Sequence, residues 1–230
     1  MEVIDFLKKE IEKIKAKETF KESGEIFHLE EGIAKAVGLE NAFFGEIVLI
    51  KGKKEVPGVI LSLEEDEVGI ALLGKPLGIK EGDLVERTKK ILSVPVGEEL
   101  LSRVINPLGK PLDGKGEIKA KTFFPIERIA PSVVEREPVN YPLHTGIKAI
   151  DSMIPIGRGQ RELILGDRQT GKTSICIDTI INQKNEEKPI FCIYVAIGQK
   201  QSKVARIYET LKKHGAMDYT IIVHTSPSDP

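Results

Sequence analysis

The sequence predicts a mixed fold in three parts: an N-terminal helix, a small all-β unit and an α/β unit. Three observations carry this. Apolar residues recur at three- and four-residue steps in the first nineteen residues. Glycines then punctuate short apolar runs as far as residue 91. From about residue 145, runs of strand length alternate with amphipathic runs of helix length.

The first helix spans residues 1 to about 19. Ile4, Leu7, Ile11 and Ile14 form one narrow apolar stripe, with Asp5, Glu10, Lys13 and Lys17 on the other faces. So narrow a stripe makes no core alone. It packs on its own chain or docks on a partner helix.

Residues 24 to 91 read as several short strands in a small barrel or sandwich. Gly24, Gly32, Gly38, Gly45, Gly52 and Gly58 fall six to eight residues apart. "LEEDE" (Leu63 to Glu67) reads as a solvated hairpin turn. It lacks the glycine-bearing pattern of a calcium loop.

Between Pro107 and Pro142 lie six of the thirteen prolines. Proline removes backbone donors and blocks long regular elements, so residues 92 to about 145 read as an irregular crossing. "NPLGKPLDGKG" (Asn106 to Gly116) supplies turns. "TFFPIERIAPSVV" is apolar enough to be expected to pack on something.

The last part predicts a strand at Glu162 to Leu165 and a helix with Ile177, Ile180 and Ile181 toward a sheet. A strand in "KPIFCIYVAIG" follows, then a helix with Val204, Ile207 and Leu211 on one face, stopped by Gly215. "DYTIIVH" closes the run as a third strand. This order implies a parallel sheet with right-handed crossovers.

Composition excludes several classes. The net charge of −1 leaves no surplus to neutralise phosphates broadly, so no nucleic acid is expected as a partner. No apolar run reaches the length of a membrane span. The N-terminus mixes acids with lysines, unlike a secretory or transit peptide. The four histidines show no metal-ligand spacing. Cys176 and Cys192 each sit in an apolar run and read as small buried hydrophobes.

The chemistry lies in "GDRQTGKT", Gly166 to Thr173. A G-x-x-x-x-G-K-T run between a strand and a helix is a phosphate loop. Gly166 and Gly171 allow backbone torsions and close approach that a Cβ would block. Successive amides cup phosphates, and the following helix presents unpaired N–H groups. Lys172 supplies a point charge, and the Thr173 hydroxyl suits Mg2+, which prefers hard oxygen ligands. "GRG" at Gly157 to Gly159 is no dinucleotide fingerprint, because Glu162 stands where a third glycine belongs.

Hydrolysis needs more: an acid for Mg2+ at the end of a buried strand, a group to activate water, and a cation for developing charge. "PIFCIYVAIGQ" ends in Gly198-Gln199, and Asp229 falls five residues after its strand. Gln199 stands where α/β sheets place ligands, yet an amide cannot act as a base. It either meets a ligand or caps a surface loop. Three strands make a poor open sheet, so the chain reads as the front part of a longer one.

"YPLHTGIKAIDSMIPIGRGQRELILGDRQTGKTSICIDTIINQK" and "CIYVAIGQK" closely resemble the alpha-type subunits of F-type ATP synthases, and the resemblance covers nearly the whole chain. It implies a helix over 1–23, a β-barrel over 24–91 and a RecA-like nucleotide domain over 92–230 that stops before its magnesium-holding acid. It also implies an alternating hexamer with beta subunits around a gamma shaft, making ATP from ADP and phosphate with a transmembrane proton gradient. Residues 1–19 would meet a delta-type stalk subunit. The complex would hold the chain peripherally on the cytoplasmic side of a bacterial inner membrane, or on the stromal or matrix side if organelle-encoded.

Alpha-type sites bind Mg-ATP or ADP and turn it over little or not at all. In beta a glutamate stands where this chain has Gln199. Residue by residue, the resemblance puts Gly166, Asp167, Arg168, Gln169, Thr170, Gly171, Lys172, Thr173 and Ser174 around the phosphates. Thr173 would lie nearest Mg2+, Gln199 close to the γ-phosphate, and no catalytic residue on this chain. "KQSKVARI" departs from the more usual form with Arg and Thr. The competing readings are a self-sufficient RecA-like motor (a helicase or secretion ATPase) and an assembly module with a vestigial loop. The motor predicts a Glu near Gln199 and, for a helicase, a basic loop, and neither is found.

Overall fold

Period-two alternation builds the N-terminal unit of the molecule. The computed structural model describes residues 22–30 and 32–227, in two compact units divided between Leu92 and Ser93. The helix expected over residues 1 to about 19 lies outside the described residues.

The first unit is a closed six-stranded barrel, which removes the unpaired edges of an open sheet. Its strands are β1 (Ser23–Glu30), β2 (Ile33–Val37), β3 (Glu46–Lys51), β4 (Glu55–Leu63), β5 (Val68–Leu72) and β6 (Leu84–Ile91). The order around the barrel is β1-β2-β5-β4-β3-β6, and every neighbouring pair is antiparallel. Burial alternates strictly along β3 and β5, so one side of each strand fills the interior. Ile26, Val48, Ile50, Ile60, Ile70 and Val85 are fully buried there, with small Ala34 and Ala36 between them. At Gly58 an added Cβ would lie 2.5 Å from Ile70 Cγ2, so the interior has no room for a side chain at that point. The acidic stretch closes as a tight turn, with Glu64 N–H donating to the Glu67 carbonyl at 2.9 Å.

One buried ion pair fixes a strand register. Glu46 is fully buried at the start of β3. Arg87 on β6 donates to it through Nε at 3.1 Å and Nη2 at 2.9 Å, and Lys89 N–H adds a bond at 2.8 Å. The β3–β6 register shifts beside this pair, and Lys89 takes a left-handed φ of 56°. The carboxylate thus collects the donors that a β-bulge leaves without ladder partners.

In the second unit the expected irregular crossing is found. It contains only β7 (Ser93–Val96), β8 (Val104–Ile105), β9 (Thr122–Pro125) and β10 (Pro142–Leu143), with short 3-10 turns between. Asn106 Oδ1 accepts from Leu108 N–H at 3.1 Å and Lys110 N–H at 2.7 Å, which makes the first of the expected turns. The packing expected of "TFFPIERIAPSVV" is found only at its start, where β9 pairs with β7. Ile129, Val133 and Val134 are almost wholly exposed, and no described residue covers them.

Beyond the crossing come α1 (Lys148–Met153), β11 (Ile156–Gly157), α2 (Lys172–Asn182), β12 (Cys192–Ile197), α3 (Gln201–Lys213) and β13 (Thr220–Thr225). A three-stranded parallel sheet, β12-β13-β8, carries the helices. Ile177 of α2 and Val204, Ile207 and Leu211 of α3 bury against Ala196 and Ile222, with Ile180 and Ile181 partly covered. The α3 helix ends as expected. Gly215 takes φ 70°, and Ala216 N–H reaches back to the Leu211 carbonyl at 2.8 Å.

Two sequence expectations are corrected. Glu162 to Leu165 does not form a ladder strand, and residues 161–170 are all exposed. A strand's N–H and C=O groups need a neighbour, and no described strand pairs with this stretch. The third strand begins at Thr220 because Met217–Tyr219 coil into a 3-10 turn.

Candidate functional site: a phosphate loop at the head of α2

The loop Gly166–Gly171 owes its shape to backbone torsions that few residues accept. Gln169 takes φ 63° and Gly171 takes φ 91°, both left-handed. At Gly166 a Cβ would stand 2.8 Å from Thr170 Oγ1. Thr170 Oγ1 in turn donates to the Asp167 carbonyl at 2.9 Å and braces the turn. Gly171 is the N-cap of α2, and no side chain caps the helix. The N–H groups of its first turn therefore remain available to an anion.

Lys172 folds back over the loop, and its Nζ donates to the carbonyls of Gly166 and Asp167. Arg168, Gln169, Thr170, Gly171, Lys172, Thr173 and Ser174 line one open cleft of about 770 Å3. Seven of the ten sequence-assigned residues thus share one space. Gly166 and Asp167 form the start of the turn beneath it, and Gln199 is not among its lining residues. Gln199 follows the end of β12, beside Tyr194. Burial pushes the Tyr194 phenol up, and the neighbouring Gln199 amide works against that shift. The Gln199 Oε1 is shielded from solvent and accepts no hydrogen bond.

The far end of α2 is tied down by "HTGIKAID". The His144 carbonyl accepts from Asn182 Nδ2 and Gln183 Nε2, each at 2.9 Å. Asp151 holds the Thr145–Gly146 turn through Thr145 Oγ1 at 2.6 Å, Thr145 N–H at 2.9 Å and Gly146 N–H at 2.9 Å. The Thr145 bonds lead in holding its carboxyl below the ordinary range. At Gly146, φ 77°, a Cβ would press to 2.7 Å from Asn182 Oδ1. A segment twenty residues ahead of the loop thereby anchors the helix that presents it.

Sequence reasoning missed Lys203 and Arg206 of α3, which line the same cleft. Their signal was the three-residue spacing beside the Val204–Ile207–Leu211 stripe.

Two family descriptions match this chain. Residues 19–89 match the ATP synthase alpha/beta family beta-barrel domain, and residues 146–230 match the nucleotide-binding domain of the same family. The chain belongs to the ATP synthase alpha/beta family. Within it, the chain is similar to ATP synthase subunit alpha of Aquifex aeolicus, 52% identical over 229 residues, covering 100% of this chain and 45% of the relative. The subunit alpha of Petrotoga mobilis is 56% identical over 223 residues, covering 95% and 44%. That of Clostridium acetobutylicum is 55% identical over 228 residues, covering 99% and 44%. The chain thus spans a little under half the length of these relatives.

Proposed function

We propose that this chain supplies the barrel and the phosphate grip of an alpha-type subunit of an F-type ATP synthase. In that role it binds Mg-ATP or ADP without turning it over, and it supports chemistry on beta subunits. The observation that carries this reading is the cleft built from Arg168 to Ser174 at an uncapped helix start, on a chain whose candidate water-activating position is Gln199 rather than Glu.

The residues present suit a magnesium nucleotide. The close approach at Gly166 keeps the loop free of a side chain that would fill it. Lys172 already bridges two carbonyls and has charge to offer a phosphate instead. Thr173 brings a hydroxyl, a hard donor for Mg2+. Gln199 Oε1 has unfilled acceptor capacity, and an amide cannot take a proton. Mg2+ would neutralise phosphate charge there.

The wider role follows the alpha-type reading. The chain would alternate with beta subunits around a gamma shaft and meet a delta-type stalk subunit through residues 1–19. It would be held peripherally at the membrane by a complex that couples proton flow to ATP synthesis. The test is equilibrium binding of Mg-ATP to the full-length protein. Tight binding with no release of phosphate is expected; no binding at millimolar Mg-ATP would reject the reading.

A further inference from the structure

Arg87 serves two carboxylates at once. It lies two residues beyond the buried Val85, on the same face of β6. Its Nε and Nη2 are taken by Glu46 of β3, at 3.1 and 2.9 Å, and the Phe43 ring centre lies 5.9 Å from the guanidinium carbon. The remaining arm, Nη1, donates to Glu22 Oε2. The Arg87 N–H also donates to the Glu22 carbonyl, at 3.2 Å. Glu22 stands immediately ahead of β1. One residue of β6 therefore grips both of its neighbours: β3 through Glu46, and the lead into β1 through Glu22.

The seam that Glu22 extends is the shortest in the barrel. β1 and β6 pair only from Ser23–Glu86 to Glu25–Leu84, whereas β3 and β6 pair from Glu46–Ile91 to Lys51–Leu84. Glu22 opposite Arg87 adds the next rung, through side chain as well as backbone. A surface ion pair is ordinarily weak because two long side chains must both be ordered. Here Glu46 has already ordered the arginine. The Arg87 side chain is nearly buried and cannot swing away without stranding a fully buried carboxylate. Glu22 thus meets a cation held in place, in a planar fork whose third arm is turned toward it. We infer that Arg87 is a positioning residue for the N-terminal segment. It fixes where and in which direction the chain enters the barrel, so that a partner bound through residues 1–19 is held by the barrel itself. This rests on the reading above that residues 1–19 meet a stalk subunit. The action of Arg87 runs through Glu22, and Glu46 supplies the rigidity.

The experiment uses the full-length protein and its Glu22→Gln variant, which keeps the side chain's size and removes its charge. A variant lacking residues 1–19 is the control. Hydrogen exchange is read by mass spectrometry at two amides of β6. The Arg87 N–H reports the bond to Glu22, and the Lys89 N–H reports the bond to Glu46. Glu22→Gln is expected to speed exchange at Arg87 about tenfold and to leave Lys89 unchanged. Its affinity for the stalk subunit should fall about threefold to tenfold, with no change in the denaturant midpoint. Equal acceleration at both amides would mean general loosening of the barrel and would overturn the positioning role. Unchanged stalk affinity in Glu22→Gln, where the deletion weakens it, overturns the inference and leaves the stalk reading standing. Unchanged affinity in the deletion overturns the stalk reading itself, and the inference with it.

Discussion

Lys172 Nζ donates to the backbone carbonyl of Asp167, so the cation of the loop is satisfied by the loop itself. A bound phosphate would have to draw it away from that carbonyl and the neighbouring one of Gly166. The gain is the difference between a charge-assisted bond to phosphate and a bond to a neutral carbonyl.

Replacing Lys172 by alanine should therefore weaken Mg-ATP binding by about 1.5–3 kcal/mol, roughly ten- to a hundredfold. The fold should be unaffected, because the side chain bonds only to loop carbonyls. Fluorescence titration of the full-length variant measures this. Unchanged affinity would remove Lys172 from the site.

Gly171→Ala separates torsion from crowding. Gly171 takes φ 91°, and an added Cβ would meet nothing within 4 Å. The expected cost is therefore backbone strain alone, about 1–2 kcal/mol. It should appear as weaker nucleotide binding, because the strain falls at the junction of loop and helix. A neutral substitution in both unfolding and binding would mean that the loop relaxes to another conformation.

The Arg103–Asp113 pair tests the second unit's stability. Asp113 is nearly buried, and Arg103 reaches it through Nε at 2.7 Å and Nη2 at 3.0 Å. Burial by itself would raise the Asp113 carboxyl. The bonds from Arg103 and from the N–H groups of Lys115 and Val104 outweigh it and hold the group well below the usual carboxylate range. A depressed folded pKa stabilises fully above the unfolded value and is lost as pH falls through the folded one. Asp113→Ala should cost about 3 kcal/mol near neutral pH. The gap from wild type should narrow below about pH 4. Denaturant unfolding across that range is the measurement.

Cys192 should be a slow thiol. Burial pushes it up to about 11, so little thiolate exists near pH 8. Iodoacetamide at that pH should leave Cys192 largely unmodified in the folded protein and label it after unfolding. Rapid labelling in the folded state would show that β12 opens.

Much of this was legible in the sequence because it is local. Alternation along β3 and β5 and the stripe of α3 report which face is buried. The glycines at 166, 171 and 215 report torsions that other residues resist. What depends on partners distant in the chain was not legible. Glu162 to Leu165 has strand composition, but a strand exists only where another pairs with it. The exposed Ile129, Val133 and Val134 likewise have the composition of packed residues without a described neighbour. Lys203 and Arg206 read as ordinary surface charges until α3 is placed beside the loop. The assignment of Gln199 to the γ-phosphate came from the resemblance, and in this structure its amide lies beside Tyr194 rather than lining the cleft.

The central claim is that this site grips a magnesium nucleotide and leaves it intact. The direct measurement is the fate of γ-labelled ATP held at this site in the full-length protein within its assembled complex. The label should stay on the nucleotide while the complex turns over many times, and the Lys172→Ala form should hold less of it. Release of labelled phosphate from this site at the rate of turnover would contradict the account.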